Sequence, residues 1–167
     1  ITYWNHGAEE IYGWTSEEAI GEISDSLFQT EYPEKVEKVI GHLHQTGRWT
    51  GELAHTTRDG RRITVLIRKT LDRDSKGDPA SVLLNITDIT TRKEIEEALR
   101  EAGERFRFMA ESMPQKIFTA SPNGGIDYLN RQWQEFTGLP SDKMQGWGWV
   151  SFIHPDDLEE NVHRWKE

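Results

Sequence analysis

The sequence predicts an α+β chain built on antiparallel strands, and three observations carry that expectation. An Asp59-Gly60 turn joins two runs of alternating apolar residues, short helix signals precede them, and an amphipathic helix with heptad spacing follows. A length of 167 residues allows one or two domains. Seven Trp, six Phe and four Tyr supply a core even though only 35% of residues are apolar and 29% are charged.

The elements follow in order. Ile1-Thr2-Tyr3-Trp4-Asn5 reads as a short strand, and Ser16-Glu17-Glu18-Ala19 as a helix start in which Ser16 caps and the acids suit the helix dipole. Pro33 opens a further helix. Trp49 to Thr57 and Arg62 to Thr70 form a hairpin, since Asp-Gly supplies the positive φ of a tight turn. Ser81 to Ile89 is the third strand. Period-two alternation puts Trp49, Gly51, Leu53 and His55 on one face, with Ile63, Val65 and Ile67 and then Val82, Leu84 and Ile86 likewise sharing faces. Thr91-Arg92-Lys93-Glu94 reads as a capping box, and Ile95, Leu99, Ala102, Phe106 and Met109 fall at heptad steps behind it. That seam suits either a two-chain coil or packing on the chain's own sheet.

The opening then recurs. Ile126-Asp127-Tyr128-Leu129-Asn130, Thr137-Gly138, Ser141 and Gly146 repeat Ile1 to Asn5, Tyr12-Gly13, Ser16 and Gly21; 126 − 1 and 146 − 21 both give 125. His154-Pro155-Asp156-Asp157 starts another helix.

These residues carry a family resemblance. Tyr3-x-Asn5, Tyr12-Gly13, Gly21, Thr46 to Leu53, Arg58-Asp59-Gly60, Gly77 and Asn85 to Lys93 together resemble a PAS domain with its PAC motif. The second copy, with Trp133, Phe136 to Leu139, Gly146 to Trp149 and His154 to Asp157, resembles the start of another. The resemblance implies a five-stranded antiparallel sheet with helices on one face, followed by a linker helix and a partial second unit. Residues 1–90 are expected as one module without its first strand, 91–110 as the amphipathic linker helix, and 111–167 as the N-terminal half of a second module. Because a lone two-stranded hairpin is marginal in water, the strand at 116–120 is a candidate for exchange into a first-copy sheet, in the same chain or a partner.

Charge and composition exclude several functions. A net charge of −9 without a basic cluster argues against nucleic-acid binding. With no Cys there is no thiol nucleophile, thiolate metal site or thiol-dependent photochemistry. No run approaches the ~20 apolar residues of a membrane span, and the start has no signal-peptide pattern, so no membrane contact is expected from this segment; a cytoplasmic setting is the default and what the resemblance implies, with anchoring of a longer parent left open. No phosphate-binding loop or phosphoacceptor-histidine motif is present, so no catalytic residue is assigned.

Within the resemblance, the pocket candidates are His55, Leu53, Trp49, Leu84 and Ile86, with His55 the polar group among apolar walls. A structural His55 is the competing reading. Asp88 and Thr90, where the last strand becomes the helix, are the candidate relay. His6, His42, His44 and His55 have no metal-ligand spacing, so no metal site is assigned; the resemblance implies a haem ligand nearer Val36 than His42 or His44, and the cofactor is left open, with no cofactor at all favoured over flavin or haem. The expectation is a non-catalytic sensory and dimerising module, paired as a homodimer and attached to an output kinase or cyclase domain. A purely structural dimerisation unit and a flavin or haem sensor are the alternatives.

Overall fold

A computed structural model of the chain describes residues 1–164. It divides into two compact units, Ile1–Glu97 and Ala98–Glu167.

In the first unit four helices precede one sheet: α1 (His6–Tyr12), α2 (Ser16–Ala19), α3 (Ser24–Leu27) and α4 (Val36–Thr46). The strands are β1 (Arg48–Thr56), β2 (Arg62–Arg73) and β3 (Pro79–Asp88), antiparallel in the order β1-β2-β3. Asn5 caps α1 by accepting from the Ala8 N–H, and Gly13 ends it at φ 81°. The cap of α2 is Thr15 and not Ser16. Thr15 exchanges bonds with Glu18 in a full capping box, and Ser16 takes the first helical position. Pro33 lies ahead of α4, whose N-cap is Lys35. The β1–β2 turn is closed by Thr57 N–H on the Arg61 carbonyl and by Gly60 at φ 83°.

The register fixes which side chains meet. Leu53 faces Val65, His55 faces Ile63, and Trp49 and Leu84 flank Lys69. That inner face meets Tyr12, Phe28, Val39 and Leu43 from the helices, and together they form the core. Three strands are present where the resemblance implies five. Ile1–Asn5 is not a strand; its backbone contacts at Ile1 are Gly21 N–H on the Ile1 carbonyl at 2.9 Å and the Ile1 amino group on the Glu22 carbonyl at 2.6 Å, with no neighbouring strand to extend them.

The linker helix α5 runs Thr90–Ser112 and starts one residue before the expected capping box. Ile95 and Leu99 are 63% and 73% exposed, so Ile95 does not pack on the sheet of the first unit. Ala102, Phe106 and Met109 are exposed as well, and Ala110 is the buried residue of the helix.

The second unit carries β4 (Phe118–Ala120) and β5 (Ile126–Leu129), then α6 (Arg131–Thr137), α7 (Ser141–Met144), a 3-10 turn at Gly148–Phe152 and α8 (Pro155–Arg164). Ser141 again follows the N-cap position, held here by Pro140 with no side-chain cap bond. Pro155 is the first residue of α8 and Asp156 and Asp157 fill its first turn, as its sequence predicts. The strand considered for exchange, 116–120, pairs as Phe118–Ala120 with Ile126–Leu129 in its own unit. Gly146 and Ile126 exchange two backbone bonds at 2.8 Å, the counterpart of the Ile1–Gly21 contact.

Candidate functional site

Two constellations occupy the first unit, one on the inner face of the sheet and one where β3 passes into α5. On the inner face, Tyr12 at the end of α1 and His55 at the end of β1 are 1% and 2% exposed, and their side chains hydrogen-bond at 2.7 Å. Aromatic rings enclose the pair. Phe28 stacks on Tyr12 with centroids 4.3 Å apart and on His55 at 4.9 Å, and Trp4 and Trp14 pack around Phe28. Burial pulls the His55 pKa down to about 4, so the imidazole is neutral in the folded chain at pH 7. Burial, with the Asp88 charge acting in the same direction, raises the Tyr12 hydroxyl above the usual tyrosine value.

Beside this pair lies a cluster that the sequence reading passed over. Lys69 sits in the inner row between Trp49 and Leu84, and its ammonium is 3.0 Å from the Tyr32 hydroxyl. It lies 5.1 Å from the Tyr32 ring centroid and 5.7 Å from that of Trp49. Tyr32 donates in turn to the Asp25 carboxylate at 3.1 Å. Burial lowers the Lys69 pKa, against the opposing charge of Asp25, and burial and Asp25 together push Tyr32 up to about 12. The signal for Lys69 was available, because it continues the Val65, Ile67 alternation onto the inner face.

The five pocket candidates all face inward. Trp49, Leu53 and His55 are buried, whereas Leu84 and Ile86 are half-buried. The Trp49 ring fills the space over Gly51, with two ring carbons where a Cβ on Gly51 would have to go. Two open clefts lie in this unit, one of about 380 Å³ lined by Glu34, Lys38, His42, Trp49 and Thr50 and one of about 450 Å³ beside Tyr12 and Arg58. The inner face is occupied by its own aromatic side chains, and His42 and His44 are exposed on α4. Among the described residues no three His, Cys, Asp or Glu side chains group as metal ligands.

The second constellation joins sheet to helix. Asp88 Oδ1 accepts from the Thr90 N–H at 2.8 Å and from the Thr90 hydroxyl at 2.6 Å. The Thr90 oxygen accepts from the Thr64 N–H at 2.9 Å, and Ile89 N–H donates to the Thr64 carbonyl at 2.9 Å. Lys93, one turn into α5, pairs with Glu52 of β1 at 2.8 Å. The two candidate relay residues are therefore in contact, and Thr64, Lys93 and Glu52 join them. Thr64 and Glu52 carry no turn or cap signature of their own; the β2–β3 register brings Thr64 to the helix start, and Glu52 reaches Lys93 from β1.

A family model described as PAS fold matches residues 1–94, and a second described as PAS domain matches residues 104–166. The chain belongs to the PAS family. An uncharacterized protein of Sinorhizobium fredii is 40% identical over 72 residues, covering 43% of this chain and 9% of that protein. The peroxide stress-activated histidine kinase mak1 of Schizosaccharomyces pombe is 32% identical over 94 residues, covering 53% of this chain and 6% of the kinase. The PAS chain thus spans under a tenth of the length of these relatives. Among solved structures, an RNA-binding light-oxygen-voltage receptor matches with a TM-score of 0.53 at 17% identity, over 61% of this chain and 29% of the receptor, a likeness of fold. A sensory box histidine kinase/response regulator from Burkholderia thailandensis is 27% identical, with a TM-score of 0.48 over 63% of this chain and 80% of that structure.

Proposed function

We propose that this PAS chain is a non-catalytic sensory and relay segment of a longer signalling protein, acting as a homodimer in the cytoplasm. Catalysis is assigned to an output domain outside the segment, and the kinase among its relatives makes a histidine kinase the favoured output. The observation that carries the reading is the junction at Asp88 and Thr90. A change on the inner face reaches α5 through hydrogen bonds worth about 1 kcal/mol each, the scale on which a two-state relay is biased. The helix beyond the junction presents Ile95 and Leu99 to solvent, an apolar stripe that a second copy of the chain covers. The acidic chain, whose longest helices are too polar to cross a membrane, is consistent with that setting.

Light scattering on the whole chain tests the pairing. A dimer that Leu99→Glu converts to a monomer is expected. A native chain that stays monomeric at high concentration overturns the reading. The filled inner face supports a second reading, a structural dimerisation unit without a ligand, because Trp49 already occupies the space over Gly51.

A further inference from the structure

The inner face of the first sheet carries a charge without a direct ion pair, with the Asp25 carboxylate one tyrosine hydroxyl away. Lys69 lies in the row between Trp49 and Leu84, half-buried, with two aromatic rings around its ammonium and a neutral tyrosine hydroxyl as its hydrogen-bond partner. Among the described residues no carboxylate oxygen forms an ion pair with it, since the Asp25 carboxylate is engaged by the Tyr32 hydroxyl. An ammonium whose nearest contacts are two rings and one hydroxyl keeps donors free for an anion.

Next to that charge is a space of defined shape. Gly51, opposite Ile67 and one row from Lys69, has no side chain, and the flat Trp49 indole lies in the gap it leaves. The indole also walls the open cleft of about 380 Å³ between α4 and β1, which provides room into which the ring can swing. On the β3 side, Leu84 and Ile86 are half-buried and complete an apolar wall.

Resting on the reading that the inner face receives the signal, we propose that this face binds a planar aromatic monocarboxylate of about indole size, which replaces the Trp49 ring over Gly51 and places its carboxylate on the Lys69 ammonium. The apolar floor of Ile67, Ile86 and Leu84 takes the ring, and Lys69 selects the anion over a neutral molecule of the same shape. The same ring movement couples occupancy to β1, the strand that carries Glu52 and thereby touches α5 through Lys93.

The test is a titration of the full chain with indole-3-carboxylate and benzoate, and with neutral indole-3-carboxamide, followed by the Trp49 indole N–H in nitrogen-15 NMR spectra and assigned with Trp49→Phe. Both carboxylates are expected to shift that signal, with the carboxamide about tenfold weaker or more. Lys69→Met is expected to erase the preference and Lys69→Arg to keep it, with circular dichroism confirming that both variants fold. Equal binding of acid and amide, or a Lys69→Met chain that still prefers the acid, overturns the anion assignment and leaves an inner-face sensor of neutral ligands standing. No shift with any of the three, in a chain that is dimeric by light scattering, overturns the ligand site and leaves the structural dimerisation unit.

Discussion

His55 is kept neutral by the aromatic rings around it, and that has a measurable cost at low pH. Its pKa falls from 6.5 to about 4 on burial, so between these values the unfolded chain binds a proton that the folded chain does not. Stability from this residue is fully present above pH 6.5 and is lost as pH falls towards 4. By 1.36 kcal/mol per pH unit the loss is at most about 3 kcal/mol. Urea denaturation midpoints measured from pH 7 to pH 4 are expected to drop more steeply for the native chain than for His55→Leu. Tyr12→Phe removes the partner of a buried imidazole nitrogen and is expected to cost about 1–3 kcal/mol in the same measurement. Gly51 makes a third residue-scale case. A methyl there meets the Trp49 ring, which has to leave the row, so Gly51→Ala is expected to shift the Trp49 indole N–H signal in nitrogen-15 NMR spectra. That collision could not be read from the chain. Alternation put Gly51 on the inner face, but the direction the neighbouring indole takes is a matter of packing.

At the scale of elements, the start of α5 shows what local chemistry predicts and where it stops. Asp88 and Thr90 were legible because an acid and a hydroxyl at a strand-to-helix boundary satisfy free amides. Their attachment to Thr64 was not, since it depends on the antiparallel pairing that sets Val65 opposite Asp88. The cap of α2 fell one residue early for a related reason. Thr15 and Ser16 are both competent, and the position of Glu18 three residues after Thr15 decides between them. For α5 the structure predicts a confined effect. Asp88→Ala is expected to cost about 1 kcal/mol and to speed amide exchange at Thr90 and Lys93, with the β2 amides of Ile63 and Ile67 unchanged. The Lys93–Glu52 pair is exposed on both sides, so Lys93→Ala is expected to change stability by less than about 1 kcal/mol. Exchange that rises equally across β2 after Asp88→Ala would show that the junction is part of the core and not a separable connection.

Across the whole molecule, the repeat at an offset of 125 residues was the most legible feature, because turn glycines and short strand patterns keep their spacing whatever packs on them. Strand number was not legible in the same way, since a segment is a strand only where a neighbour supplies its ladder. Ile126–Leu129 has β4 beside it, whereas Ile1–Asn5 has the Gly21–Glu22 turn against Ile1 and no strand. The repeated asparagines make this difference testable. Asn5 is exposed and holds one helix amide, that of Ala8. Asn130 is 0% exposed, accepts from the Ile117 N–H and donates to the carbonyls of Ala110 and Gln115. One residue type at one repeat position thus caps a surface helix in the first unit and ties helix, loop and strand together in the second. Asn5→Ala is expected to cost about 1 kcal/mol, the usual worth of an exposed cap. Asn130→Ala leaves three backbone groups without partners in a unit whose other buried side chains are few, Ala110, Leu129 and Met144 among them, and is expected to cost several times as much. Hydrogen exchange read by mass spectrometry separates the two effects. After Asn130→Ala, protection at Ile117 and along 126–129 is expected to collapse while β1 and β2 stay protected, because the units are compact separately. Equal losses from the two substitutions would mean that the repeat-related positions do the same work, and the partners of Asn130 would then add nothing to the stability of the second unit.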